Sequence, residues 1–294
     1  MPKGLREIRN RIKSVKSTGQ ITRAMQLVAS SKMKKAQDAA KAGREYAELL
    51  GEILDTALHK VGEVSHPLLA HREVKVRGIL LVTPDKGMCG ALNSNLLRAV
   101  TEIEGNAAFV TLGRKGRQAL ARSGKTILGD FPVTDRATFA EIRPAAEFLL
   151  QAFTEGKVDT VEVLHTYFKN TLVQAPRLLR LLPADSLIEQ SRELRAKLGL
   201  PEPRIEEDER EMIFEPGAAE ILGELPSLFF KQAVHQAILE AKASEHSARM
   251  VAMKAATDNS KKIAAALSLE YNKARQAAIT QEILELTAGA SSQS

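Results

Sequence analysis

The chain has 294 residues, 44% of them apolar and 27% charged, the make-up of an ordinary water-soluble protein of one or two domains. No apolar run approaches the ~20 residues of a membrane span, and a single cysteine, Cys89, rules out a disulfide framework or a dithiol switch. The net charge of +6 is unevenly placed: residues 1–44 hold twelve Lys or Arg against Glu7 and Asp38. A basic, acid-poor start is also what a transit peptide offers, but the helical pattern runs well past residue 30 without a break, so a mature segment is expected.

Leu5, Ile8, Ile12 and Val15 are spaced three and four apart, as in a coiled-coil seam. Ile21, Met25, Val28 and Ala29 continue it with a slight drift, and Ala36, Ala40, Ala47, Leu50 and Leu54 carry it to about residue 60. Gly19 and Gly43 each cost about 1 kcal/mol relative to Ala in such a helix, which only strong packing absorbs. Residues 62–72 read as a loop.

From Val74 the pattern changes to short β-rich runs alternating with helices. Strands are expected at Val74–Val82, Ala107–Leu112, Thr126–Leu128 and Val158–Tyr167, with Arg177–Leu182 as a further edge. Helices are expected at Ala91–Ile103, Arg114–Ser123 and Ala137–Phe153. The alternation implies an α/β domain over 73–183 with a mainly parallel sheet. Residues 184–224, with the acidic run Glu206, Glu207, Asp208, Glu209 and Glu211, read as a connector.

The last stretch, 225–288, is a second long helix. Between Gly223 and Gly289 there is no glycine, and Pro226 suits a first helical turn. Ala, Leu, Glu, Lys, Gln, Met and Arg fill it, all strong helix formers. Such a run makes a rod of roughly 90 Å, which cannot fold inside a globule and needs a partner helix or a sleeve. Its natural partner is the N-terminal helix, antiparallel if the middle of the chain folds at one end. The stripe Ala233, Ala237, Ala241, Ala248, Ala252 and Ala255 lets two helices approach closely.

Candidate chemistry is sparse. Residues 119–126 (ALARSGKT) match a relaxed phosphate loop, but helix precedes and strand follows, the inverse of a true one. Gly124 suits a helix cap there instead. Residues 87–90 (GMCG) follow a strand and precede a helix, where a phosphate cradle would sit, yet they lack a third glycine and a lysine. The six histidines show no metal-ligand spacing. Cys89 has no histidine partner that would make it a nucleophile. The basic helix lacks the interleaved aromatics of a nucleic-acid binder. An enzyme that oligomerises through its coil and a basic nucleic-acid binder are the alternatives to an interaction protein.

Three stretches carry a family resemblance: ITRAMQLVASSKMKKAQ (21–37), DKGMCGALN (85–93) and SEHSARMVAMKAATDN (244–259), the last followed by YNKARQAAITQEILELTAGA (271–290). Their order and separation resemble the γ subunits of F-type ATP synthases, the central rotor stalk. The resemblance implies an antiparallel coiled coil of the two terminal helices beside a Rossmann-like α/β domain that binds no nucleotide, and no cofactor. It implies a subunit without catalysis of its own that carries torque from a membrane c-ring to catalytic β subunits. The partners would be the α and β ring, ε and the c-ring, at the cytoplasmic face of a bacterial membrane. By position, Arg275 and Gln276 match a polar catch with β. Lys86, Cys89, Met25 and Arg249 match contacts with an acidic β loop, and Phe214 and Glu215 match a foot facing ε and the c-ring. The sequence departs from the family at Pro84, where Ser is usual, and in the long acidic segment 184–211.

Overall fold

The computed structural model describes residues 3–61, 66–184 and 217–291. Helix α1 spans Lys3–Val61 and helix α5 spans Ala218–Ser291. Between them come a 3-10 turn at Pro67–Leu69, β1 (Arg77–Val82), α2 (Leu92–Thr101), β2 (Ala107–Leu112) and α3 (Arg114–Arg122), then β3 (Thr126–Phe131), α4 (Phe139–Thr154), β4 (Thr160–Phe168) and β5 (Gln174–Leu182). The chain divides into two compact units: residues 1–30 with 249–294, and residues 31–248.

The first unit is a helix pair. Among the covered positions of α1, Leu5, Ile8, Ile12, Val15, Gly19, Thr22, Gln26 and Ala29 follow an alternation of three and four, with Met25 and Ser30 half-buried beside them. Along α5, Met253, Thr257, Ser260, Ala264, Leu267, Tyr271 and Ala274 are covered with the same alternation, flanked by half-buried Ala256 and Ser268. The helices run antiparallel. Thr22 and Thr257 bond through their hydroxyls at 2.8 Å, and a Cβ on Gly19 would stand 3.2 Å from Cβ of Ser260. Each hydroxyl also has a carbonyl of its own helix within reach, Gly19 O for Thr22 at 3.1 Å and Met253 O for Thr257 at 2.8 Å, so either hydroxyl can donate across the seam.

This corrects the expected seam. Ile21 and Val28 are 58% and 55% exposed, because a strict seven-residue repeat from Leu5 puts Gly19, Thr22, Gln26 and Ala29 inward and turns the larger apolar residues out. Gly19 lies in the seam because the helices approach too closely there for a larger side chain, which is why its low helix propensity is tolerated. Ala255 of the alanine stripe is exposed for the same reason: Met253 and Thr257 hold the inward positions.

The second unit carries a five-stranded sheet in the order β3-β2-β1-β4-β5. The first four strands are parallel and β5 runs antiparallel to β4 along one edge. Because side chains alternate across a strand, Ile79, Leu81, Phe109 and Leu164 face Leu96 and Val100 of α2 and Leu120 of α3. Leu80, Val82, Val110, Val161 and Val163 face the opposite way. They share the larger core with Leu149 and Phe153 of α4, Leu54 of α1, and Phe229, Phe230, Val234 and Ile238 of α5.

Strand β1 begins at Arg77 rather than Val74 because the Asp159 carboxylate accepts from the N–H groups of Lys75 and Val76 at 2.9 and 2.8 Å. Those donors are therefore taken before the ladder starts. Pro226 lies inside α5, not in its first turn, and its missing N–H removes one helix bond there. Gly124 has φ +65°, and Lys125 N donates back to Leu120 O at 3.1 Å, so residues 119–126 are a helix cap of the Schellman kind.

Candidate functional site

The helix pair presents a charged groove. Arg9, Lys16 and Arg23 recur every seventh residue beside the seam of α1, and all three are exposed. Lys16 and Arg23, with Lys261 of α5, border a groove of about 550 Å³. Its floor is Gly19, Thr257, Ser260 and Ala264, small enough to leave the space open. No carboxylate lines it. In a coiled coil, flanking charges usually pair with opposite charges across the interface. Here cations stand on both helices, so the groove has the electrostatics of a docking surface for an acidic segment. The sequence signal for it was the heptad spacing of Arg9, Lys16 and Arg23; Lys261 could be assigned only once the helices were paired.

Met25 and Arg249, both expected at a partner contact, are half-buried in this same unit. Around them Ile21, Leu27 and Val28 are 55–62% exposed. Arg275 and Gln276 lie exposed on α5. Carried along the Thr22–Thr257 register, the first helical residue, Lys3, lies level with Gln276, and α5 continues to Ser291. That continuation exposes Ile279 and Ile283, one turn apart on the same face, and Leu284 beside them.

In the second unit the loop between β1 and α2 carries Lys86 and Cys89. Asp85 Oδ1 accepts from Arg114 N at 2.9 Å, Pro84 O accepts from Lys115 N at 3.2 Å, and Thr83 Oγ1 accepts from Gly116 N at 2.8 Å. The loop is thus fastened to the start of α3. Lys86 is exposed, and Met88, held at φ +61°, is 56% exposed. Cys89 is only 1% exposed, and its Sγ accepts from Asn93 Nδ2 at 3.5 Å. The outward surface of this loop is therefore Lys86 and Met88, with Cys89 packed beneath them.

The expected residues thus fall into two groups, Met25, Arg249, Arg275 and Gln276 in one unit and Lys86 with Cys89 in the other. Phe214 and Glu215 lie outside the described residues. Among the described residues no group of three His, Cys, Asp or Glu is placed to hold a metal ion, and no helix is long and apolar enough to cross a membrane.

A helix pair with basic and apolar side chains turned outward, and an α/β unit of five strands, match what comparison with known proteins finds. The sequence model described as ATP synthase matches residues 4–292. The ATP synthase gamma chain of Opitutus terrae is 52% identical over 283 residues, covering 96% of each chain. The chain belongs to the ATP synthase gamma chain family. The gamma chain of Methylacidiphilum infernorum is 41% identical over 288 residues, again covering 96% of both. Among solved structures, the rotor of the Euglena gracilis mitochondrial ATP synthase superposes with a TM-score of 0.65 at 20% identity. That match covers 95% of this chain and all of the other. The central stalk and c-ring structure of the Tetrahymena thermophila enzyme gives 0.57 at 24% identity, covering 80% and 99%. These two matches speak for the fold.

Proposed function

We propose that the chain is the central shaft of an ion-translocating F-type ATP synthase, without catalysis of its own, turned by a membrane c-ring and turning inside a ring of α and β subunits. The observation that carries this is the outward placement of Ile21, Leu27, Val28, Ile279, Ile283 and Leu284 on the paired helices, beside a seam that narrows to Gly19, Thr22 and Ala29 in its middle. Exposed apolar faces of this kind mark surfaces that another protein covers. Residues 275–285 engage the inner wall of the ring, with Arg275 and Gln276 as a polar catch on β. The groove of Lys16, Arg23 and Lys261, together with Met25 and Arg249, receives an acidic β loop. Lys86 contacts acidic β residues from the other unit, with Cys89 fixing its loop from below. Phe214 and Glu215 belong to the foot that meets ε and the c-ring, at the cytoplasmic face of a bacterial membrane.

A helix pair has no three-fold symmetry, so three identical β subunits around it meet three different surfaces. Each orientation biases one site relative to the others, a coupling free energy in the allosteric sense. The reading is tested in the assembled membrane complex by comparing ATP hydrolysis with ATP-driven ion pumping. Arg275→Ala is expected to lower pumping per ATP hydrolysed. A purified chain that hydrolyses ATP by itself, or a complex that pumps normally without this chain, would overturn it.

A further inference from the structure

From Ala237 to Ser247, α5 is buried on every side, although it carries Glu240, Lys242, Glu245 and His246. A helix covered all round is ordinarily apolar. Here the polar groups are spent on directional bonds. Ser244 Oγ donates to Thr166 O of β4 at 2.9 Å, and Ser247 Oγ donates to Thr171 O in the β4–β5 turn at 2.9 Å. Both serines are 0% exposed.

The loop between β3 and α4 grips the helices from another side. Asp135 Oδ2 accepts from Lys32 Nζ of α1 at 2.5 Å, and its other oxygen stands 3.9 Å from His246 Nε2 of α5. Two residues on, Ala137 O lies 2.9 Å from His235 Nε2. Burial pushes the Asp135 carboxyl upward, but the Lys32 hydrogen bond and the charges of His246, Lys32 and Lys242 together hold it below the ordinary aspartate value. One carboxylate thus serves both long helices, close to the residues where each leaves this unit, Ser31 and Ala248.

Interdigitated apolar side chains resist both separation and rotation of a helix in its seat, but as a spread of many small contacts rather than at defined atoms. Hydrogen bonds fix an angle. We propose that Ser244 and Ser247 are positioning residues that key α5 to the sheet, and that Asp135 ties Lys32 of α1 to the same domain, so that rotation of the α/β domain passes into both helices without slip. This rests on the shaft reading above and names the residues that bear the load.

The test uses the full complex in membrane vesicles, with ATP hydrolysis and ATP-driven pumping measured on the same preparation. The triple variant Ser244→Ala/Ser247→Ala/Asp135→Asn is expected to lower pumping per ATP about threefold or more while hydrolysis stays within about twofold, since two buried hydrogen bonds of about 1 kcal/mol each are lost and the Lys32 bond loses its charge. Asp135→Glu keeps the wild-type ratio. Phe230→Leu, which loosens the apolar seat without touching these bonds, keeps it too. Asp135→Asn alone shows a smaller loss of the same kind, and serves if the triple variant fails to assemble. An unchanged ratio in Asp135→Asn and the triple variant, or an equal loss in Phe230→Leu, overturns the keyed seat and leaves the shaft reading standing. Absence of pumping with the wild-type chain in an otherwise complete complex overturns both.

Discussion

Residues 1–30 with 249–294 bury Gly19, Thr22, Ala29, Thr257 and Ala264 between their helices and leave Ile21, Leu27, Val28, Ile279 and Leu284 in solvent. Residues 31–248 hide Phe109, Phe153, Phe230, Leu54, Ile79 and Leu81 almost completely, although Leu49, Met88 and Leu172 stand 56–79% exposed. Hydrophobic stabilisation scales with apolar area removed from water, so the second unit carries its own stability, whereas the first holds apolar area in reserve for a surface supplied by other subunits. The difference lies in the core: the second unit closes one of its own, whereas the helix pair has only its seam to bury.

The sharpest way to break that contrast is to attack the closed core. Phe230→Ala removes a fully buried ring and is expected to destabilise the isolated chain by about 3–5 kcal/mol, read as a shift in denaturant midpoint. In the helix pair the comparable change is smaller. Thr22→Ala deprives the buried Thr257 hydroxyl of its partner across the seam and should cost about 1–2 kcal/mol, while Thr22→Val with Thr257→Val, which removes both hydroxyls, recovers most of it.

Acid probes the polar fastenings of the second unit. Two backbone donors, Val76 first and Lys75 after it, hold the Asp159 carboxyl below its ordinary value. A lowered folded-state pKa gives stability that is present above the unfolded value of about 3.9 and lost as pH falls through the lower folded value. Asp159→Asn should therefore flatten the fall in stability below about pH 4, measured by denaturation across an acid series. Smallest of all, Ile21→Ala with Val28→Ala should shift the stability of the isolated chain by no more than about 0.5 kcal/mol and yet weaken assembly with the catalytic ring, measured by subunit exchange. A large loss of stability in the isolated chain would mean that those side chains belong to a core after all.

Local pattern made much of the fold legible. The β-branched runs marked β1, β2 and β4, and the three-and-four spacing marked both long helices. Strand β5 could be read only as a possible edge, since Pro176, Arg177 and Arg180 interrupt its alternation. Strand β3 ran to Phe131 rather than Leu128, because Gly129 and Asp130, poor strand formers, are held in register by β2, with Thr111 Oγ1 donating to Asp130 Oδ1 at 2.6 Å. The seam was misplaced between Ile21 and Val28 for a related reason. Hydrophobicity was the guide, and at this crossing closeness of approach outweighs it.

By itself the sequence determined where the helices and strands form, that the chain alternates between them, and which family it joins, because propensity, periodicity and motif spacing are properties of neighbours along the chain. Only the tertiary structure decided which face of α1 lies inward, that Cys89 sits beneath its loop rather than on it, that Lys261 joins Lys16 and Arg23, and that one carboxylate of the β3–α4 loop serves both helices. Each of these depends on residues 100 or more positions apart or on the packing of whole elements, such as Lys32 with Asp135 and Thr22 with Thr257. Which of them meet is settled by the packing that brings their elements together.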